Sequence, residues 1–347
     1  MVEYLDGGRI QGSSTKTSAP PQTSWKELAR ASLSSAGDTI TTSTFTAKDN
    51  IMILAKTISD GQVTANYRFN ADSGSNYARR QSSNGGSDGT GTSQNVILAG
   101  YGTSGETTFI TTNVINEATK EKLVITELVT NGSGNGAGNA PNRREIVGKW
   151  ANTSDAITSV TLFNNDTGSF AAGSEIVVLG CDNDEADSGT NFWQELASTT
   201  LTSTSNEINS GTFTAKKYLM VELQVIADGS ISGSDLQFNG DTGSNYARRY
   251  RTGGDSEATG TSEATLGGGT GGDRGYNTWF IVNVADKEKL ALGEATWTTN
   301  GAGNAPSRRE LTGKWANTSA QITSIKVKEN ASGGWASGST LKVWGAD

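Results

Sequence analysis

Residues 136–145 read Gly-Ala-Gly-Asn-Ala-Pro-Asn-Arg-Arg-Glu and residues 148–154 read Gly-Lys-Trp-Ala-Asn-Thr-Ser, and nearly the same text returns at 301–310 and 313–319. The chain is a tandem repeat. Outward from this anchor the matches keep their order. Trp25-Lys-Glu-Leu-Ala29 answers to Trp193-Gln-Glu-Leu-Ala197, and Phe45-Thr-Ala-Lys48 to Phe213-Thr-Ala-Lys216. Asp72-Ser-Gly-Ser-Asn-Tyr-Ala-Arg-Arg80 answers to Asp241-Thr-Gly-Ser-Asn-Tyr-Ala-Arg-Arg249, and Lys120-Glu-Lys-Leu123 to Lys287-Glu-Lys-Leu290. The spacing is far longer than the roughly 20–50 residues of solenoid or propeller units, so each copy is expected to be a domain with its own core. The expected division is an arm over 1–23, copy one over 24–182, a short acidic linker over 183–190 and copy two over 191–347.

Composition selects the class. The 347 residues include 44 Gly and 4 Pro and are 33% hydrophobic, which suits short strands and tight turns better than helices. Runs such as Ile51-Met-Ile-Leu-Ala-Lys-Thr-Ile58, Thr107-Thr-Phe-Ile-Thr-Thr-Asn-Val-Ile115 and Glu121-Lys-Leu-Val-Ile-Thr-Glu-Leu-Val129 read as strands. Gln62-Val-Thr-Ala-Asn-Tyr-Arg-Phe69 alternates, which puts Val63, Ala65, Tyr67 and Phe69 on a core face. Thr39–Thr46 and Ile51–Ile58 are expected to form a hairpin, Ser82–Ser93 a loop, and Trp25–Ala29 an opening strand. About eight short strands per copy predict an all-β chain of two tandem homologous β-sandwich, jelly-roll-like domains behind an extended N-terminal arm.

The formal charge of −8 argues against a nucleic-acid partner, which requires clustered Lys and Arg. No stretch approaches the roughly 18 apolar residues of a membrane helix, so no membrane partner is expected. The start carries no basic-then-apolar leader, and the reading is of a protein made in a host cytoplasm. With Cys181 as the only cysteine, an intrachain disulfide is impossible. There is no histidine, which removes the commonest catalytic base and metal ligand together.

Several constellations invite a functional reading beside a structural one. Arg79, Arg80, Arg143 and Arg144, with Arg248, Arg249, Arg308 and Arg309, could clamp an anionic sugar. The favoured reading is a structural lattice in which one Arg of each pair meets Glu145, its twin Glu310, or Asp72, because arginine forks grip carboxylates and partners are local. Asp72 and Asp241 sit in Asx-rich turns that offer oxygens of the kind calcium uses, although the same residues close turns through backbone hydrogen bonds. No other cofactor is expected. Trp150 and Trp315 occupy one repeat position and read as core anchors. Trp297 and Trp335 belong to copy two only and could stack on a sugar. Tyr4, Leu5 and Ile10 form the apolar tip of the arm, with a polar spacer behind it, and are expected to serve assembly. No catalytic residues are assigned.

The text Gly148-Lys-Trp-Ala-Asn-Thr-Ser-Asp-Ala-Ile-Thr-Ser-Val160, followed by Phe170-Ala-Ala-Gly-Ser-Glu-Ile-Val-Val-Leu-Gly180, resembles β-rich virion structural proteins of tailed viruses of bacteria and archaea. It covers the last third of each copy. Tyr4-Leu-Asp-Gly-Gly-Arg-Ile-Gln-Gly12 is similar to the start of such proteins. The resemblance implies a non-enzymatic, homo-oligomeric virion component, either capsid decoration or cement or part of a tail, whose partners are itself and other virion proteins. A carbohydrate-binding protein that recognises host surface glycans is the alternative, and a β-sandwich glycan hydrolase the third.

Overall fold

The computed structural model describes the backbone of residues 2–5 and 9–12 and all of residues 25–132, 134–183, 191–229, 233–269, 271–329 and 333–347. Strands β1 (Val2–Leu5) and β2 (Arg9–Gly12) pair with each other as an antiparallel hairpin, with Tyr4 opposite Ile10. The side chains of Tyr4, Leu5 and Ile10, and most of the expected linker, lie outside the described residues.

Copy one is a sandwich of two unequal antiparallel sheets. The large sheet runs β3 (Lys26–Ser32), β15 (Glu175–Cys181), β5 (Asn50–Asp60), β10 (Thr107–Ile115), β11 (Lys122–Thr130), β12 (Asn142–Trp150), β7 (Tyr77–Ser83) and β8 (Gly89–Gln94). A two-residue strand, β14 (Ser169–Phe170), also pairs with β5. The smaller sheet runs β4 (Thr39–Thr41), β13 (Val160–Asn164), β6 (Val63–Phe69) and β9 (Ile97–Gly102). Between the sheets lies one apolar cluster that takes Ile53 and Ala55 from β5, Val124 and Leu128 from β11, and Val63, Ala65, Tyr67 and Phe69 from β6. The alternation read in β6 therefore does face the core.

Copy two repeats the plan. Its large sheet runs β16 (Gln194–Thr200), β27 (Thr340–Ala346), β18 (Tyr218–Asp228), β22 (Arg274–Val282), β23 (Lys289–Thr298), β24 (Ser307–Trp315), β20 (Tyr246–Thr252) and β21 (Ala258–Glu263), with β26 (Gly334–Trp335) beside β18. Against it stand β17 (Glu207–Thr212), β25 (Ser324–Lys328) and β19 (Asp235–Phe238). Registers coincide: Tyr77 opposes Trp150 as Tyr246 opposes Trp315, and Lys122 opposes Trp150 as Lys289 opposes Trp315. Irregularities recur as well, since a register shift follows Tyr77 and its twin Tyr246 alike. Among the described residues there is no helix.

Three expectations need correction. Thr39–Thr41 does not form a hairpin with β5; it pairs with β13, so the chain crosses from one sheet to the other between residues 41 and 50. Ser82–Ser93 is not all loop, because Gly89–Gln94 forms the edge strand β8 on β7. The division into two compact units also departs from the repeat boundary: residues 134–141, part of copy one by sequence, group with the second unit.

Candidate interaction surface

Each core is fastened by the same polar joint. Trp150 is buried, stacks on Tyr77 at 6.4 Å between centroids, and donates from Nε1 to Asp72 Oδ2 at 2.7 Å. Asp72 also accepts from Gly74 N at 2.8 Å and Asn76 Nδ2 at 2.9 Å. In copy two Trp315, Tyr246 and Asp241 repeat the joint, again with 2.7 Å from Nε1 to the carboxylate. Asp72 and Asp241 thus close their turns and anchor the indoles. Over each indole lies a buried ammonium held by three carbonyls. Lys122 Nζ donates to Ala118, Lys120 and Asn152 at 2.9–3.0 Å, and Lys289 Nζ donates to Ala285, Lys287 and Asn317. Burial lowers both lysines, Lys289 to about 8.

The arginine pairs face opposite ways, as adjacent strand residues must. Arg143 pairs with Glu145 on the outward face of β12, and Arg308 with Glu310 on β24. Arg144 lies over the Tyr101 ring at 4.0 Å, and Arg309 over Tyr250 at 4.8 Å and Trp297 at 5.7 Å. Arg80 meets Asp88 at 3.2 Å, Arg249 meets Glu257 at 3.8 Å and Arg248 meets Glu263 at 3.9 Å. Arg79 lies on the opposite side of β7 from Arg80, close enough to Arg144 for their like charges to oppose. These are separate local contacts, and the expected partnership of an arginine with Asp72 gives way to the tryptophan joint. Trp335 is fully buried and cannot meet a sugar, because its side chain belongs to the apolar core of copy two. Trp297 is half-buried and, with the exposed Tyr276, lines a shallow groove of about 340 Å³.

The surface that sequence reading missed is the outward face of the large sheet in copy one. In a sandwich the outer positions of each strand are normally polar. Here Ile115 is 59% exposed, Leu123 55%, Ile125 57% and Val147 49%. They form two adjacent rows, since Ile115 opposes Leu123 and Leu123 opposes Lys149, while Ile125 opposes Val147 and Val147 opposes Arg80. The rim is charged: Lys149 Nζ pairs with Glu121 at 2.9 Å, and Arg80 with Asp88. A groove of about 860 Å³ runs over these residues. The signal was present in Leu123-Val-Ile125, apolar on both faces of one strand, which marks a strand covered on both sides.

At the corresponding positions of copy two the same face is buried: Val282 is 1% exposed, Leu290 0%, Leu292 4% and Thr312 4%. Over it lie residues 134–141 of the second unit. Ser262 N donates to Ala137 O at 2.7 Å, Arg249 Nε to Pro141 O at 2.7 Å and Lys314 Nζ to Gly134 O at 3.0 Å, while Gly136 N donates to Glu288.

No protein-family model matches the chain, and no curated protein does. Among solved structures, the mouse laminin alpha1 chain domains LG4-5 align at 10% identity over 95% of this chain and 92% of that one, with a TM-score of 0.19. Human GIVD cytosolic phospholipase A2 aligns at 8% identity over 78% of this chain and 31% of that one, with a TM-score of 0.13. Neither likeness carries an argument about what this chain does.

Proposed function

We propose that this chain is a non-catalytic structural protein of a virion surface, a capsid decoration or cement subunit or a tail-associated one, that works by assembling with copies of itself and with other particle proteins. The observation that carries the assembly reading is the outward face of copy one, an apolar centre of four aliphatic side chains inside a charged rim. That is the anatomy of a protein contact. The virion reading rests on the resemblance of the text at 148–160 and 170–180. Its test is immunogold labelling of purified virus particles from cells that make the chain. Regularly spaced label on heads or tails is expected, and label confined to particle-free lysate overturns the reading.

A second reading, a glycan-binding surface, is favoured by Trp297 and Tyr276 in the copy-two groove. On a glycan array it requires a ligand whose binding falls at least tenfold in Trp297→Ala.

A further inference from the structure

The loop that covers copy two has a twin. Residues 299–306 repeat 134–141, and the two loops share one shape. Asn139 N bonds Gly136 O and its side chain bonds Asn135 O at 2.9 Å; Asn304 N bonds Gly301 O and its side chain bonds Asn300 O at 2.8 Å. Gly136 and Gly301 take φ of 87° and 95° at the same corner, a region that favours glycine. The difference lies in their surroundings, because residues 299–306 are exposed throughout.

The receiving face has a twin as well. Each group that holds residues 134–141 on copy two recurs on the bare face of copy one: Glu121 for Glu288, Lys149 for Lys314, Arg80 for Arg249, and Ser93 for Ser262. Ser93 and Ser262 even share a positive φ, 51° and 53°. Among the described residues the chain therefore carries one loop without a face and one face without a loop.

We propose that residues 299–306 of one molecule dock on the outward face of copy one of a second copy of this chain. Gly301 N then meets Glu121, Lys149 reaches Thr299 O, Ser93 N meets Ala302 O and Arg80 reaches Pro306 O. Leu123 and Ile125 are covered as Leu290 and Leu292 already are. The contact is heterologous, so assembly continues until a ring closes or a filament extends. It rests on the reading of the chain as an assembling subunit and names the surfaces that reading needs.

The test is light scattering behind size exclusion on the full chain and on two variants of exposed residues, Leu123→Arg in the face and Ala302→Arg in the loop, each checked for an unchanged far-UV spectrum. The wild type should show concentration-dependent oligomers, and each variant should be monomeric. An equimolar mixture of the variants should form dimers and stop there, because it holds one intact loop and one intact face per pair. An oligomer that survives both substitutions, or variants that fail to pair, overturns the docking while the assembly reading stands. A wild type that is monomeric throughout also overturns the docking and leaves particle labelling to judge the reading separately. Removal of residues 1–23 should change none of this; loss of pairing on that deletion would assign the face to the arm instead.

Discussion

At the residue scale the tryptophan joint concentrates stability. Trp150 and Trp315 are each 1% exposed and stack on a tyrosine, so replacement by Ala should cost about 3–5 kcal/mol, read from urea melts. A loss below about 1 kcal/mol would show that neighbours collapse into the space. The carboxylates beneath them contribute to the acid limb. Burial pushes Asp72 up, but hydrogen bonds from Trp150, Asn76 and Gly74 outweigh it and hold the group below its usual range; burial likewise pushes Asp241 up, and the matching bonds from Trp315, Asn245 and Gly243 outweigh it. The folded chain therefore binds these protons less tightly than the unfolded chain does. The resulting stabilisation is fully present above the unfolded value of about 3.9 and fades as pH falls through the lower folded value. In the double variant Asp72→Asn, Asp241→Asn, stability should fall less steeply below about pH 4, and an unchanged slope would assign the acid limb to other carboxylates. The repeat showed that these residues mattered as a set, yet not which touched which: Asp72 looked like an arginine partner because charge is visible in a sequence, while an indole N–H aimed at a carboxylate is not.

At the element scale most strands were legible and their partners were not. β6, β10 and β11 follow from alternation and β-branched runs, since those properties belong to each strand alone. β8 was hidden because Gly89-Thr-Gly-Thr-Ser-Gln94 is polar and glycine-rich, the composition of a loop, and becomes a strand only by pairing with β7 at the sheet edge. The hairpin expected from Thr39 to Ile58 failed for the opposite reason. Both strands exist, but Thr42 N and Oγ1 bond Val160 O and draw that segment into the smaller sheet. The outward face of β11 was legible in principle, as Leu123 and Ile125 alternate with Val124 to leave no polar side. What covers such a face depends on which molecules meet, which no single strand encodes.

At the scale of the whole molecule the duplication was fully legible, because two copies of one plan need the same glycines, tryptophans and arginines in the same order. Their unequal exposure was not, since copies built on one plan have different neighbours. Beyond contacts, the strand order bears on how the chain is made. In each copy the first strand pairs with the last: β3 with β15, and β16 with β27, each last strand also lying against β5 or β18 inside the sheet. Neither large sheet can therefore close until its final strand has left the ribosome. At roughly 5–20 residues per second, the opening strand of copy one waits on the order of ten seconds with the inner edge of β5 unpaired. Nascent chains stalled before Glu175 emerges should be cut readily by protease, whereas chains stalled once Cys181 and the following linker are clear should yield a resistant first unit. Resistance in the shorter chains would mean that β5 finds another partner first. The interval is a window in which an open edge can pair with a neighbouring nascent chain, so the rate of elongation between residues 60 and 181 bears on yield as directly as any contact in the finished fold.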